Sequence, residues 1–563
     1  MRFKSIVGLI KENILLFGII FLSLIPLLDF FHPGLPITHD GQDHVARIAN
    51  FYQSLSEGNI VPRWAENLNW GYGHPILMFL YPLPSYFASI FHFMGFSFID
   101  SVKSVFVFSY ILSGVVMYFW VKEFLSKEAG FVAAILYLFA PYRFVEMYVR
   151  GDIGEHVAFI FPPLILYFLL KIQKFNSKSL LENNIYPYFL GLSLSVTGLI
   201  LAHNAITLIF LPVIAGYVIY LFIVSKKYNF VLQSILATTL GFLLSSFFLL
   251  PAFFEGKYTL RDIVTSGEYA SRFVNFKDLL YGQWSYGITG QFSVQIGLLQ
   301  ILLLILSFFI IMRFVKKGDN IFQSYFLFLV FFILSIFLML KESNFIWITL
   351  TILKKFQFPW RFLFLTVFTS SVLGGFVFSI QQIKRINKYI LIIFVALVLL
   401  INNSYWHAKD YLYRSDSFFE NIYNSTTDTG ESSPIWSVRF MEKRPIANIQ
   451  ILSGRSKINQ ISRNTTEHKY IINSSSQSRI RENTLYFPGW KVYVNGVESP
   501  IQFQDPANRG LITFNLEKGQ NTIDVKFEDT KLRKISNILS LIMLITLVFT
   551  FMLFTFRKNE ISK

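Results

Sequence analysis

The stretch from Thr38 to Gly58 reads THDGQDHVARIANFYQSLSEG, and its first ten residues hold His39, Asp40, Asp43, His44 and Arg47. Carboxylates beside imidazoles and a guanidinium suit two tasks. A carboxylate takes a proton from an attacking hydroxyl, and a fixed cation holds a phosphate or a developing negative charge. Wound as a helix from Gly41, the stretch places Val45, Ile48, Ala49, Tyr52 and Leu55 on one stripe, with Asp40, Asp43, His44 and Arg47 on the other flank. That division predicts a helix lying along a membrane surface, apolar side in lipid and ionisable side on a cleft. A plain structural reading fits the same residues: Asp40 as N-cap, Asp43 at the capping-box position, and Asp43–Arg47 as an ordinary i,i+4 pair.

Five other places put polar or aromatic groups at the ends of long apolar runs, where charge is costly and defaults to function. VRGDIGEHVAF carries Arg150, Asp152, Glu155 and His156, and reads equally as a polar turn in which Asp152 caps the next helix. LAHNA sets His203 and Asn204 at a tight turn, where a histidine also serves as a simple cap. LLPAFFEGKY puts Glu255 at the mouth of a span, which helix-end solvation explains as well. In KKFQFPWRFLF, Pro359 opens a helix, Trp360 suits the interfacial belt, and Arg361 either snorkels or grips a lipid phosphate. The aromatics of NFKDLLYGQWSYG either stack on sugar rings or pack their loop.

The scaffold for these groups is membrane-embedded. Of 563 residues 53% are hydrophobic, 64 are Phe and only 15% are charged, which excludes an ordinary soluble globular protein. The excess of 16 positive charges does not point to nucleic acid, because Lys and Arg collect in short loops between apolar runs. Without cysteine, disulfides and thiolate–metal chemistry are excluded. About twelve spans are expected, near 13–31, 101–121, 129–148, 156–170, 186–202, 206–224, 231–253, 292–311, 321–340, 362–380, 389–405 and 535–556. Arg2, Lys4 and Lys11 precede an uncleaved first span, and the inner loops collect Lys122/Lys127, Lys171/Lys174/Lys178, Lys226/Lys227, Arg313/Lys316/Lys317, Lys384/Arg385/Lys388 and Arg557/Lys558. Both termini then lie inside, and every candidate above lies outside. Pro75 to Gly95 is apolar enough to span, but Pro82 and Pro84 interrupt it and counting it would invert the later loops. It is read as a re-entrant or surface segment.

The expected organisation is a transmembrane domain over 1–405, with a first outer loop at 32–100 and a second at 255–290. A mainly β domain follows over 406–534, then a last helix and tail over 535–563. KVYV, Asn495-Gly496 and VESPIQF predict a hairpin with a type I′ turn. LITFNL, residues 517–520 and NTIDVKF predict a second hairpin, giving a small β-sandwich or jelly-roll-like unit.

Acids on the first loop and cations on later ones, all in one compartment, are the set that sugar transfer from a lipid phosphate requires. Several stretches carry a family resemblance: THDGQDHVARI with IVPRW and GYGHPILMFLYPLPSY, then RGDIGEHVA, LAHNA, LLPAFFE, QFPWRFL and YFPGWKVYVNG. On these the chain resembles a GT-C superfamily membrane glycosyltransferase. More narrowly, it resembles the bacterial membrane proteins labelled 6-pyruvoyl-tetrahydropterin synthase-related, akin to YfhO-type proteins. The resemblance implies a first outer loop bearing the catalytic acid, juxtamembrane helices after it, and a C-terminal outer domain. It implies Asp40 as that acid, with His44 and Arg47 beside it, and Glu155, His203, Asn204, Glu255 and Arg361 lining the same cavity. The expected catalytic set is Asp40 as general base with His44 and Glu155. The expected substrate-binding set is Arg47, Arg150, His203, Asn204, Glu255, Trp360 and Arg361. Asp43 and Asp152 stand outside the family's core pattern. The pterin label carries no chemistry over, since that soluble enzyme needs a zinc-binding histidine set that this chain does not offer in one cluster.

The function expected is transfer of a sugar from a polyprenyl-phosphate donor to a glycan, teichoic-acid or protein acceptor, at the outer face of a bacterial plasma membrane. The lipid bilayer is a partner and nucleic acid is not. No cofactor is firmly expected; a divalent metal (Mg or Mn) at Asp40 and Asp43 would find too few ligands in two acids. The competing class is a non-enzyme, a lipid-linked glycan transporter or an export and assembly scaffold. A transporter should carry ionisable groups at mid-bilayer depth and a path to both sides.

Overall fold

The computed structural model describes residues 13–175, 185–287, 291–379 and 388–561. Arg2, Lys4, Lys11, Lys178, Lys384 and Arg385 lie outside the described residues, as do the side chains of Lys388, Arg557 and Lys558.

Among the described residues seven helices are long and apolar enough to cross a bilayer unbroken: Ile14–Phe31, Phe98–Phe124, Ile153–Phe175, Asn204–Ser225, Asn320–Met339, Pro359–Phe378 and Lys531–Thr555. Two further candidates are helix pairs bent at a short break, Lys127–Leu138 with Pro141–Arg150 (46°) and Tyr228–Leu244 with Ser246–Phe254 (70°). The first break follows from sequence, because Pro141 drives the preceding Ala140 out of the helical region to ψ 136°. Three shorter apolar helices, Tyr186–Ala202, Leu298–Phe314 and Tyr389–Asn402, fall on the remaining expected spans. Burial ranks these elements: the window in Pro359–Phe378 is 94% buried and that in Lys531–Thr555 only 17%, so the first is the hub and the second a peripheral anchor. The chain is thus a polytopic helical membrane protein with a β-rich C-terminal region.

After the first span the chain forms helix Gly41–Ser56, a tight turn at Pro75–Met78 and helix Leu83–Phe93. The last of these has 11 residues. At ~1.5 Å per residue that is roughly half of a bilayer's hydrocarbon thickness. It lies against helix Gly41–Ser56, with Phe51 edge-on to Tyr86 at 4.8 Å and Tyr52 edge-on to His92 at 4.5 Å. This corrects the expectation that Val45, Ile48 and Ala49 face lipid, since all three are buried within the protein. Helix Leu83–Phe93 and Phe98, at the start of the next span, cover Tyr52 on the same stripe.

The strands are β1 (Leu35–Pro36), β2 (Tyr411–Leu412), β3 (Ile449–Ser453), β4 (Ser456–Arg463), β5 (Glu467–Ser474), β6 (Ser478–Leu485), β7 (Trp490–Val494), β8 (Val497–Ser499), β9 (Leu511–Leu516) and β10 (Gly519–Phe527). A five-stranded sheet, β4-β5-β10-β7-β8, and a three-stranded sheet, β3-β6-β9, enclose Tyr470, Ile480, Val492, Phe514 and Ile523. The β7–β8 hairpin has the expected turn: Val494 pairs with Val497, and Asn495 and Gly496 both take positive φ (52° and 82°). The second expected hairpin does not form. β9 pairs with β6, whereas β10 pairs with β5 and β7 in the other sheet. Period-2 alternation fixes which face of a strand is buried but not its neighbour, and these two strands meet across the sandwich instead of side by side. In a separate two-stranded sheet β1 pairs with β2, tying the residues just before Asp40 to the chain that follows helix Tyr389–Asn402.

Candidate active site

Asp40 is delivered by its backbone. The N–H groups of His39 and Asp40 donate to the carbonyls of Val149 and Arg150 at 2.9 and 2.7 Å. This stitches the start of helix Gly41–Ser56 onto the π-helical turn Val145–Arg150, an element type common at functional sites. Gly151 permits the approach: its φ is +70°, and a Cβ there would sit 2.1 Å from Thr38 Oγ1. The plain reading of the acidic helix fails for the Asp40 cap and for the Asp43–Arg47 pair. Asp40 makes no capping bond, because Thr38 Oγ1 accepts from the Gly41 N–H at 3.1 Å instead. Asp43 accepts from the Tyr423 hydroxyl at 2.9 Å, while Arg47 donates to Thr427 and to His44 Nδ1. The Asp40 carboxylate is left to His39, with Oδ1 2.6 Å from Nδ1. Burial, the largest influence, would raise Asp40, but the His39 hydrogen bond and the charges of the neighbouring histidines together outweigh it and hold the carboxyl below its ordinary range; the same bond raises His39. Burial and the Arg47 charge push His44 down to about 3, so its ring is neutral at physiological pH.

Behind Asp40 lies a buried ion cluster. Arg150 pairs with Glu146, with Glu155 (3.2 Å) and with Asp152 (2.9 Å), and its guanidinium lies 4.5 Å from the Trp360 ring centre. Arg361 donates from Nε to Glu155 at 3.0 Å and from Nη1 to the Phe356 carbonyl at 2.8 Å. Its Nη2 has no hydrogen-bond partner among the described residues, leaving two N–H donors for an anion. Tyr142 donates to Glu155 (2.8 Å) and Tyr81 to Asp152 (3.0 Å). His203 Nε2 stands 3.9 Å from Glu155 and 4.0 Å from Asp152. Asp40, Arg150, Asp152, Glu155, His203, Trp360 and Arg361 therefore share one locality, with the Asp40 carboxylate close enough to feel the Asp152 charge.

Glu255 does not join them. Its carboxylate accepts from Arg533 Nε at 2.8 Å and Thr530 at 2.7 Å, because the 70° bend turns the end of its helix toward the last span, where Arg533 supplies the counter-charge. Asn204 begins helix Asn204–Ser225 with a buried Oδ1 that has no hydrogen-bond partner among the described residues. His156 is turned toward the Phe106 carbonyl (3.1 Å). Trp284, in the loop aromatics, packs on Tyr405 at 4.9 Å.

Asp152, Glu155 and His203 place ligand atoms within 4.8 Å of one another, the geometry of a metal site. The donor chemistry opposes one. Both carboxylates already neutralise arginines, and His203 Nδ1 accepts from the Ile206 N–H at 3.3 Å, which leaves the neutral ring's proton on the Nε2 that faces them. Asp40 and Asp43 point to different partners, His39 and Tyr423.

Sequence reasoning passed over Glu146, though a carboxylate four residues before Arg150 inside an apolar run was a legible signal. Tyr81, Tyr142 and the partners from the C-terminal region carried no local signal.

A second ionic group docks the β unit. Arg463 bridges Glu66 (2.6 Å) and Glu482 (2.5 Å), and His468 lies 3.1 Å from Glu482 and 3.6 Å from Glu66. Burial raises the two acids, but Arg463 and His468 prevail, leaving Glu66 lowered and Glu482 at about 2. Burial lowers His468, but Glu66 and Glu482 prevail and raise it above 6.5. Lowered acids contribute stability above their ordinary value of 4.5 and lose it toward Glu482's folded value; a raised histidine contributes below 6.5 and loses it as pH climbs through its folded value. Docking should be tightest between pH 4.5 and 6.5. Hydrogen exchange of β4 to β6 in the full chain, scanned from pH 3 to 9 with rates corrected for intrinsic chemistry, tests this; protection that keeps climbing above pH 6.5 would refute it.

Fold and site together define a class: a multi-pass membrane protein whose first loop closes over a buried ion cluster at one end of the helix bundle, beside a β-sandwich. Residues 77–408 match the family described as 6-pyruvoyl-tetrahydropterin synthase related domain, membrane protein. That is more than half of the chain, and the chain belongs to this family. An uncharacterized protein of Lactococcus lactis subsp. cremoris (strain MG1363) is 26% identical over 280 residues, 47% of this chain and 44% of that one, so the match spans less than half of the relative. Among solved structures, the mycobacterial arabinofuranosyltransferase AftD is 11% identical with a TM-score of 0.42, over 70% of this chain and 27% of its own. The Archaeoglobus fulgidus oligosaccharyltransferase AglB, in complex with an inhibitory peptide and a dolichol-phosphate, is 13% identical with a TM-score of 0.42, over 76% and 61%. ArnT from Cupriavidus metallidurans, bound to undecaprenyl phosphate, is 10% identical with a TM-score of 0.31, over 66% and 78%. At these scores no residue role passes from them to this chain.

Proposed function

We propose that the protein is a GT-C-type membrane glycosyltransferase that moves a sugar from a polyprenyl-phosphate donor to a cell-envelope acceptor on the outer face of the membrane. The observation that carries the reading is the meeting of Asp40 with the Arg150–Glu155–Arg361 network, although Asp40 and Arg361 are far apart in sequence. An acceptor hydroxyl attacks the anomeric carbon while Asp40 takes its proton, and the bond from that carbon to the phosphate oxygen breaks. The departing phosphate keeps the bonding electrons, and the free Nη2 donors of Arg361 receive its charge. Trp360, stacked on Phe358 at 5.0 Å and beneath Arg150, walls the donor side.

The test uses the full chain in proteoliposomes with an organic extract of radiolabelled polyprenyl-phosphate sugars and delipidated envelope acceptor. Label should pass from the organic phase to the acceptor, and Arg361→Gln should slow that passage by about 10²–10³-fold, the scale of losing one charge-stabilising donor. No release of polyprenyl phosphate would sink the reading. A lipid-linked glycan transporter would instead move intact donor between leaflets, which the same vesicles report.

A further inference from the structure

Residues 423–433, after the short helix Asp416–Glu420, cross the site from one wall to the other. At one end the Tyr423 hydroxyl accepts from Gln42 (2.7 Å) and donates to Asp43 (2.9 Å). In the middle Thr427 covers Arg47, and Asp428 lies 3.5 Å from the buried His74. At the far end Glu431 accepts from Gln357 at 3.1 Å, and Gln357 in turn accepts from Arg361 at 3.4 Å.

Two features under this strap are unusual. Arg47 is buried, yet its acceptors are all neutral: Thr427 Oγ1 at 3.0 Å, the Thr427 carbonyl, and His44 Nδ1 at 3.2 Å. Among the described residues no carboxylate comes within ion-pair distance of it, and Asp43 spends its Oδ1 on Tyr423. A buried guanidinium ordinarily takes an anion, since an unpaired buried charge is expensive. Because Arg47 can only donate, His44 Nδ1 must accept, so the neutral ring carries its proton on Nε2. That N–H is buried and unpartnered. Both side chains line, with Tyr81, a cavity of about 20 Å³, which holds little more than one water. The strap is held there against its own backbone at Thr427, φ +65°, and Gln357, which ties its far end, also has positive φ (+61°), conformations that residues with side chains avoid, β-branched ones most of all.

We propose that residues 423–433 are a displaceable strap over an anion site formed by Arg47 and the His44 Nε2–H, and that a phosphate group replaces the Thr427 carbonyl on Arg47. The inference deepens the transferase reading and rests on it for the carrier of the phosphate. The shared chemistry is a phosphate oxyanion, whether on a lipid or free in solution.

The chain has no cysteine and Thr426 is fully buried, so Thr426→Cys provides a single reporter thiol. With the full chain in nanodiscs, undecaprenyl phosphate in the bilayer should speed maleimide labelling at least about tenfold by opening the strap. Inorganic phosphate alone forms a second arm: acceleration there assigns the site to the free anion, and acceleration only with the lipid assigns it to a headgroup. Arg47→Gln in the same background should abolish the gain. If Thr426→Cys misfolds, hydrogen exchange of amides 425–433 in the unaltered protein reads the same opening. Unchanged labelling or exchange while a rise in thermal midpoint shows that the lipid binds would overturn the strap and leave the transferase reading standing. Binding of neither probe would overturn both, and acceleration surviving Arg47→Gln would overturn the anion site.

Discussion

Arg150→Met should lower the stability of the folded protein by about 3–5 kcal/mol, the cost of stranding buried charge. Arg150 is the common partner of Glu146, Asp152 and Glu155, and none of the three is exposed. Among the described residues, of these acids only Glu155 has a second cation within ion-pair reach, Arg361, apart from the His203 ring. Methionine matches the stem but returns no charge, so Glu146 and Asp152 would lose their guanidinium and Glu155 would keep Arg361 alone. The readout is the thermal midpoint of the full chain in nanodiscs together with the monodisperse fraction after purification. Arg150→Lys, which keeps the charge but loses the planar fork, should fall between. Arg150→Met combined with Glu146→Gln should recover part of the loss, because the double change removes a carboxylate that, among the described residues, pairs with Arg150 alone. An unaltered midpoint in Arg150→Met would mean that the carboxylates are not ionised together, and the account of the cluster would fail.

Asp40→Asn should reduce the rate of sugar transfer by about 10²–10⁴-fold, the range of a lost general base. The protein should stay folded, since Thr38, not Asp40, caps the helix, and the Asp40 side chain is tied only to His39. The loss belongs in kcat, with KM for the donor nearly unchanged, because the groups that would hold the phosphate are untouched. Asp40 is held below its ordinary value of 3.8, so it is a carboxylate at every physiological pH and the acid limb of the rate profile should lie below that value. An acid limb near neutrality would assign the base to another group. His39→Gln should move the limb upward, toward the ordinary carboxylate range, by removing the bond that lowers Asp40.

What could be read from the sequence was whatever is local in it. Apolar runs marked the seven helices, and the two bent pairs, that are long and apolar enough to cross a bilayer among the described residues, because a span needs only composition and length. Charges stranded at the ends of those runs marked Asp40, Arg150, Asp152, Glu155, His203 and Arg361, which the fold brings together. Glu255 carried the same local signal and went to Arg533 instead, since a bend between two helices decides where a helix end points. Asp40 looked like a cap because Asp before a helix usually is one, and only the hydroxyl of Thr38 two residues earlier displaced it. The strap was illegible for a simpler reason: Arg47 and Thr427 are 380 residues apart, and nothing in NSTTDTGESSP advertises a partner. Likewise, the sheet to which β10 belongs is chosen by partners, and alternation along a strand contains no information about them.

The β1–β2 ladder and the strap beyond it impose an order on biogenesis. Asp40, Arg150 and their acids are all present once the early part of the chain has left the ribosome, whereas Tyr411, Thr427 and Glu431 emerge only after Arg361 and the helix that follows it. During synthesis the nascent protein therefore passes through a stage in which Arg47 and His44 have no cover and the cleft stands open to solvent. A chain stalled or clipped before Tyr411 would carry the Asp40 and Arg150 groups with no strap across them, a species that quality-control proteases should recognise.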